Sequence, residues 1–237
     1  KKLENKRLSQ KEIFAIIKDV SENILSDPEI ALFVSAMYKN GMDFKETISL
    51  TKAILNSGHI LNLRNKNLAD KHSIGGVPGN RTTPIVVSIC AAAGLVMPKT
   101  SSKAITGAAG TADAIETIAR VEFSIKELKK IISKTKAFMV WGGSIDIVPA
   151  DSKIIKFEKT LKIDPTSQLI ASIMSKKLAV NSKYILIDIP YGKYAKVNKA
   201  KAKILKNKFL HLGKYFKRKI KVVLTDGSQP IGNGIGP

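Results

Sequence analysis

Three short runs rich in β-branched and aromatic residues, Ala137 to Trp141, Tyr184 to Ile189 and Ile220 to Leu224, are separated by segments long enough to hold helices. Strands spaced this way are too far apart for tight hairpins, so they pair in parallel, with helices covering the sheet on both faces. The spacers support this. Ile85 to Ala93 is apolar nearly all round and predicts a buried helix. Thr111 to Ala119, Ile125 to Ile132 and Pro165 to Val180 read as further helices, the last entered through Asp164 at a cap position. In sheets of this kind, ligands gather in the loops after the carboxyl ends of the strands.

The first sixty residues have a different texture. Ser9 with Glu12, Ser26 with Pro28 and Glu29, and Asp43 with Glu46 are start signals for three helices, the second stopping at Gly41 and the third at Gly58. Helices that short cannot build a large core alone. The expected fold is therefore α/β: a small all-helical lobe (1–66 and about 150–182) packed against a mainly parallel sheet domain (67–149 and 183–237). The chain does not begin with Met and stops at a loop sequence, Gly232 to Pro237, so it reads as a piece of a longer polypeptide. No internal repeat is visible.

A formal charge of +21 favours anionic partners, either a phosphate-rich substrate or nucleic acid, although a lysine-rich solvated surface has the same composition. Within Lys193 to Lys221 the aromatics Tyr194, Phe209, Tyr215 and Phe216 fit an amphipathic helix on a sheet better than a nucleic-acid surface. The lone Cys90 excludes an internal disulfide framework and suits a reducing cytoplasm, and it falls in an apolar helix as a small buried hydrophobe. The longest apolar run, Pro84 to Pro98, is too short to span a membrane. His59, His72 and His211 stand far apart with no cysteine pair, so no zinc site is expected. Asp188 and Asp226 end strands, where ligand contacts and loop-fixing roles are both open.

The stretch Asp70-Lys-His-Ser-Ile-Gly-Gly-Val-Pro-Gly-Asn-Arg-Thr-Thr83 runs directly into a helix. Glycines let backbone N–H groups approach an anion closely, and a helix N-terminus adds positive potential. Lys71 brings a full charge, and Ser73 and Thr82 bring hydroxyls. It is not the P-loop pattern, and a tight turn with incidental polar residues is the plain alternative. A second such loop, Lys99 to Thr111, again gathers hydroxyls, lysine and glycine before a helix. Two anion loops in succession suit a substrate with two phosphates, or one phosphate and a ribose; a serine-rich loop capped by Thr111 is the plain alternative.

Lys-His-Ser-x-Gly-Gly at Lys71 to Gly76 resembles the signature of the thymidine and pyrimidine-nucleoside phosphorylase family. Ser26-Asp27-Pro28-Glu29 and Asn40-Gly41-Met42 are similar to its helical lobe. Gly79 to Thr83, Lys99 to Thr106, Val140 to Gly143, Ile163 to Pro165 and Thr225 to Pro230 resemble the archaeal-type AMP phosphorylase branch. The resemblance covers essentially the whole chain. It implies a class II nucleoside-phosphorylase-like fold and a pentosyltransferase reaction in nucleotide salvage, AMP plus phosphate giving adenine and ribose 1,5-bisphosphate. It also implies outer N- and C-terminal domains absent here, and a homo-oligomer paired through the helical lobe. No cofactor, metal, membrane or nucleic acid is implied; inorganic phosphate is a substrate.

Carried over by position, AMP would contact Gly76, Ser102, Lys103, Ala104, Ile105, Thr106 and Gly107. Thr111, Ser172 and Lys196 complete that set. Phosphate would be held by Lys71, Ser73, Thr82, Ser101 and Thr111, and Asp164 would be the proton donor. His72 and Lys176 are further candidates; Ser172 and Lys176 lie one helical turn apart on one face. Two positions depart from the family pattern. Phe157 stands where the pyrimidine enzymes place an arginine on the base, which disfavours a pyrimidine nucleoside. Gly107 replaces an expected serine, leaving only backbone contact there. The residue types suit the chemistry, because phosphate itself attacks and the protein has only to hold it and protonate the leaving base. Rival readings are a pyrimidine-nucleoside phosphorylase, a phosphoribosyltransferase-like enzyme and a basic nucleic-acid-binding module. A phosphoribosyltransferase would need acidic metal ligands near the loops, and Asp70 and Asp113 are too few.

Overall fold

Capping boxes start the helices as the sequence implies. In the computed structural model, which describes residues 1–77, 79, 81–104, 109–143 and 147–231, Glu12 accepts from the Ser9 backbone N–H at 2.7 Å and opens α1 (Gln10–Ser21). Glu29 does the same for Ser26 at 2.8 Å before α2 (Asp27–Asn40), and Asp43 and Glu46 exchange bonds of 2.8 and 2.9 Å before α3 (Phe44–Asn56). Gly41, at φ +63°, takes the α2 C-cap, whereas Ser57, not Gly58, caps α3.

The chain divides into two compact units, Lys1–Asn62 with Trp141–Asn181, and Leu63–Val140 with Ser182–Pro237. The first contains α1 to α3, then α7 (Pro149–Leu161) and α8 (Thr166–Ala179). Its core is built from Ile13, Ile17 and Val20 of α1, Leu50 and Ile54 of α3, Ile154 of α7, and α8, which is buried nearly all round with Ile170 and Met174 at 0%. Lys153 donates to the Val20 and Ser21 carbonyls at 3.1 and 2.7 Å, placing a cation on the α1 C-terminus. Lys2 and Glu46 form a buried ion pair at 2.8 Å, and Glu46 also accepts from the Leu8 N–H at 2.9 Å. That pair ties the N-terminal turn to α3.

In the second unit β1 (Ala69–Ser73), β4 (Tyr184–Tyr191) and β5 (Lys219–Asp226) form a parallel sheet in the order β1-β4-β5. β2 (Met97–Ser101) pairs with β3 (Ala137–Trp141), and a parallel bridge between Leu68 and Val96 links this pair to β1. The helices are α4 (Thr82–Ala92), α5 (Thr111–Glu116), α6 (Ile125–Thr135) and α9 (Lys199–Tyr215). α9 is the expected amphipathic helix: Ala202, Leu205, Phe209 and Leu212 are buried while its lysines point outward. Tyr194 and Tyr215, though, are 68% and 47% exposed and do not pack as expected.

Two expectations are corrected. Asp70 to Ser73 and Lys99 to Ser101, read as loop, are strands; their polar residues sit at the carboxyl ends of buried parallel strands, where side chains meet the site instead of an apolar layer. α4 is not buried all round. Only Thr83 and Val87 are buried, with Val87 and the partly buried Cys90 against Ala69 and Met97, while Ile85 and Ile89 are 62% and 63% exposed. Its composition reports apolar character, and packing uses one face. Among the described residues no helix is long and apolar enough to cross a membrane.

Candidate functional site

In the α/β unit, β1 carries Lys71 into the interior, 4% exposed, and its ammonium donates to Thr82 Oγ1 at 2.9 Å and Thr83 Oγ1 at 3.3 Å. Both threonines belong to the first turn of α4, so the Lys71 side chain ends at that helix's N-terminus. The α4 N-cap residue, Arg81, makes no side-chain cap bond, and no acidic residue stands in the first turn. Its first N–H groups add positive potential there. Ser73 ends β1 opposite Asp188, and its hydroxyl accepts from the Gly75 N–H at 3.4 Å as the chain turns. His72 is half-buried beside them on β1.

Gly76, at φ +94°, lies so close to Lys196 that an added Cβ would stand 2.6 Å from that residue's backbone nitrogen. Two residues far apart in sequence, both expected to touch the nucleotide, are thus neighbours, and only glycine fits. The second loop is pinned from below. Asp113 Oδ2 accepts from the Ala104 and Gly110 N–H groups, each at 2.7 Å, and a Cβ on Gly110 would meet the Ser102 carbonyl at 2.7 Å. Arg81 reaches across to the Ala109 carbonyl at 3.3 Å, joining the loop before α4 to the loop before α5. Ser101 ends β2 and Thr111 begins α5. Lys103 pairs with Glu116 at 3.0 Å, and that carboxylate raises the Lys103 pKa. Ile105, Thr106 and Gly107 lie outside the described residues. Asp188 accepts from Thr225 Oγ1 at 2.7 Å and Asp226 from the Ser228 N–H at 2.9 Å, which also holds the Asp226 carboxyl below its usual range. The first bond links neighbouring strands and the second fixes the turn after β5.

The helical unit holds a separate polar cluster. Asp151, fully buried in the first turn of α7, accepts from Gln168 Nε2 at 3.0 Å, from Ser172 Oγ at 2.9 Å and from the Lys176 ammonium. Lys176 also donates to Ser172 Oγ at 2.7 Å. Ser172 and Lys176 share a face of α8 as their spacing requires, and Lys176 is buried, not a solvated surface lysine. Asp151 and Gln168 were not singled out in the sequence. Gln168 was detectable as one turn before Ser172, and Asp151 only as the carboxylate that a buried lysine demands. Asp164 is half-buried and precedes the N-cap, which is Pro165, so it does not occupy the cap position expected of it. Among the described residues no cluster of three or more His, Cys, Asp or Glu side chains could hold a metal ion.

The architecture is a helical unit and a parallel α/β unit that carries a glycine-rich strand–loop–helix. Residues 1–58 match the helical bundle domain of a glycosyl transferase family and residues 65–203 match its a/b domain, and the chain belongs to that family. It is 49% identical over 238 residues to an AMP phosphorylase from Thermococcus kodakarensis and 47% identical over 238 residues to one from Pyrococcus furiosus. Both alignments cover 100% of this chain and 47% of the relative, so the chain spans about half the length of the curated relatives it matches. The fold is also that of an anthranilate phosphoribosyltransferase from Thermus thermophilus, with TM-score 0.76 and 14% identity over 97% of this chain and 66% of that one.

The Lys71 geometry sets a direct test. Removing a charge-assisted donor from a bound anion typically loses about 10- to 100-fold in affinity. Lys71→Ala should weaken inorganic phosphate by at least that lower bound in calorimetric titration; unchanged binding contradicts the placement.

Proposed function

We propose that the chain is the substrate-binding part of an enzyme that cleaves AMP with inorganic phosphate, giving adenine and ribose 1,5-bisphosphate. The observation that carries this reading is the buried Lys71 side chain at the N-terminus of α4, with the second glycine loop tied beside it through Arg81 and Asp113. Two such loops side by side suit a substrate that carries a phosphate of its own beside the inorganic one. The similarity to AMP phosphorylases along the whole chain supports the same reading.

In the proposed reaction Lys71, Ser73, Thr82, Ser101 and Thr111 hold the attacking phosphate. Gly76, the loop from Ser102 to Gly107, Thr111, Ser172 and Lys196 take the nucleotide. A phosphate oxygen bonds to C1′ as the C1′–N9 bond breaks. The bonding pair leaves with adenine, and Asp164 delivers the proton that neutralises it. Positioning and charge supply the catalysis, with phosphate as the nucleophile and no cofactor. Cytoplasmic location and assembly of copies through the helical unit belong to the same proposal; exposed Ile24, Leu32 and Tyr38 on that unit support the latter.

Two measurements check this. Phosphorolysis assays across AMP, adenosine and thymidine should show AMP strongly preferred, and equal efficiency with either nucleoside would overturn the nucleotide assignment. Asp164→Asn keeps shape but cannot deliver a proton. With near-normal melting and AMP binding, its turnover should fall by roughly 10²- to 10⁴-fold. A variant that melts early while its folded fraction turns over normally would make Asp164 structural.

A further inference from the structure

The hydrogens in the Asp151 cluster can be counted. A serine hydroxyl has one hydrogen, and Ser172 gives it to Asp151 at 2.9 Å. Ser172 Oγ also receives one Lys176 hydrogen at 2.7 Å, and Lys176 gives another to Asp151. What remains for a ligand is one lone pair on Ser172 and one hydrogen on Lys176. Gln168 adds to the acceptor side: its Nε2 is committed to Asp151 at 3.0 Å, and its buried Oε1 has no hydrogen-bond partner.

We infer that Asp151 is a specificity-determining positioning residue, which fixes Ser172 as an acceptor and Lys176 as a donor and so selects a base edge presenting an N–H donor beside an acceptor. This deepens the proposed function and rests on its reading of Ser172 as a nucleotide contact. The amino group of adenine next to a ring nitrogen is such an edge. A purine ring without the amino group offers no hydrogen, and the Ser172 lone pair would be left buried and unmet. A carboxylate is the one side chain that enforces this polarity, because it only accepts. An asparagine at 151 could donate to Ser172 and let its hydroxyl turn outward as a donor.

The test is titration calorimetry of the intact protein with AMP and with purine riboside 5′-monophosphate, which lacks only the amino group. Leaving a buried acceptor unpaired should make AMP bind about tenfold or more tightly in the wild type. Asp151→Asn and Ser172→Ala should each bring the two affinities to within about threefold, with phosphate binding unchanged in both. If Asp151→Asn fails to fold because Lys176 keeps a buried charge, Asp151→Asn combined with Lys176→Met removes both charges and should show the same lost preference. A wild type without preference, or a folded variant that retains it, overturns the inference. A preference in binding with no phosphorolysis of AMP would overturn the proposed reaction and leave this inference standing; turnover of AMP without the preference would do the reverse.

Discussion

An ammonium group withdrawn from water must recover its hydrogen bonds inside the protein, or the site is lost by several kcal/mol. Two buried lysines, one in each unit, show where such bonds are made. Lys176 lies against the Asp151 carboxylate and the Ser172 hydroxyl, so its charge is answered within the helical unit. Lys71 lies against the hydroxyls of Thr82 and Thr83, at a helix end that itself carries positive potential. Those contacts bring the Lys71 side chain to the start of α4, the place where a helix end favours an anion.

Close backbone approach supplies the rest of the geometry in the α/β unit. Gly76 sits against Lys196 where a methyl group would overlap the backbone, and Gly110 sits equally close to the Ser102 carbonyl. The absence of a side chain thus brings the segments after β1 and β4 together at Gly76, and the two ends of the segment after β2 together at Gly110. Asp113 and Arg81 then fasten the second loop. The glycines that looked like phosphate-cradling residues also act as packing residues, a role that requires glycine whatever the ligand.

The sequence was most legible where a local rule decides structure. Ser9 with Glu12 and Asp43 with Glu46 form the boxes their spacing implies, and Ala137 to Trp141 is a strand with those limits. It was least legible where tertiary context decides. Asp70 to Ser73 and Met97 to Ser101 have no apolar alternation, yet both are strands, joined by the Leu68–Val96 bridge and buried by neighbouring elements. Pro149 to Leu161 is a helix signalled only by a proline at its first turn. The uniform apolarity of α4 concealed that a single face packs. In the site, Lys71, Thr82 and the paired Ser172 and Lys176 were readable from motif and spacing. Asp151 was not, since nothing near Pro149 and Ala150 shows that the carboxylate faces a lysine 25 residues further on.

The central claim is that phosphate is the nucleophile at the sugar carbon. Incubating the intact enzyme with AMP and ¹⁸O-labelled inorganic phosphate, and identifying the sugar product by mass spectrometry, tests it most directly. The expected product is ribose 1,5-bisphosphate carrying the labelled phosphate on C1, with one adenine released for each. Release of adenine with unlabelled ribose 5-phosphate, or cleavage that requires pyrophosphate in place of phosphate, would contradict it.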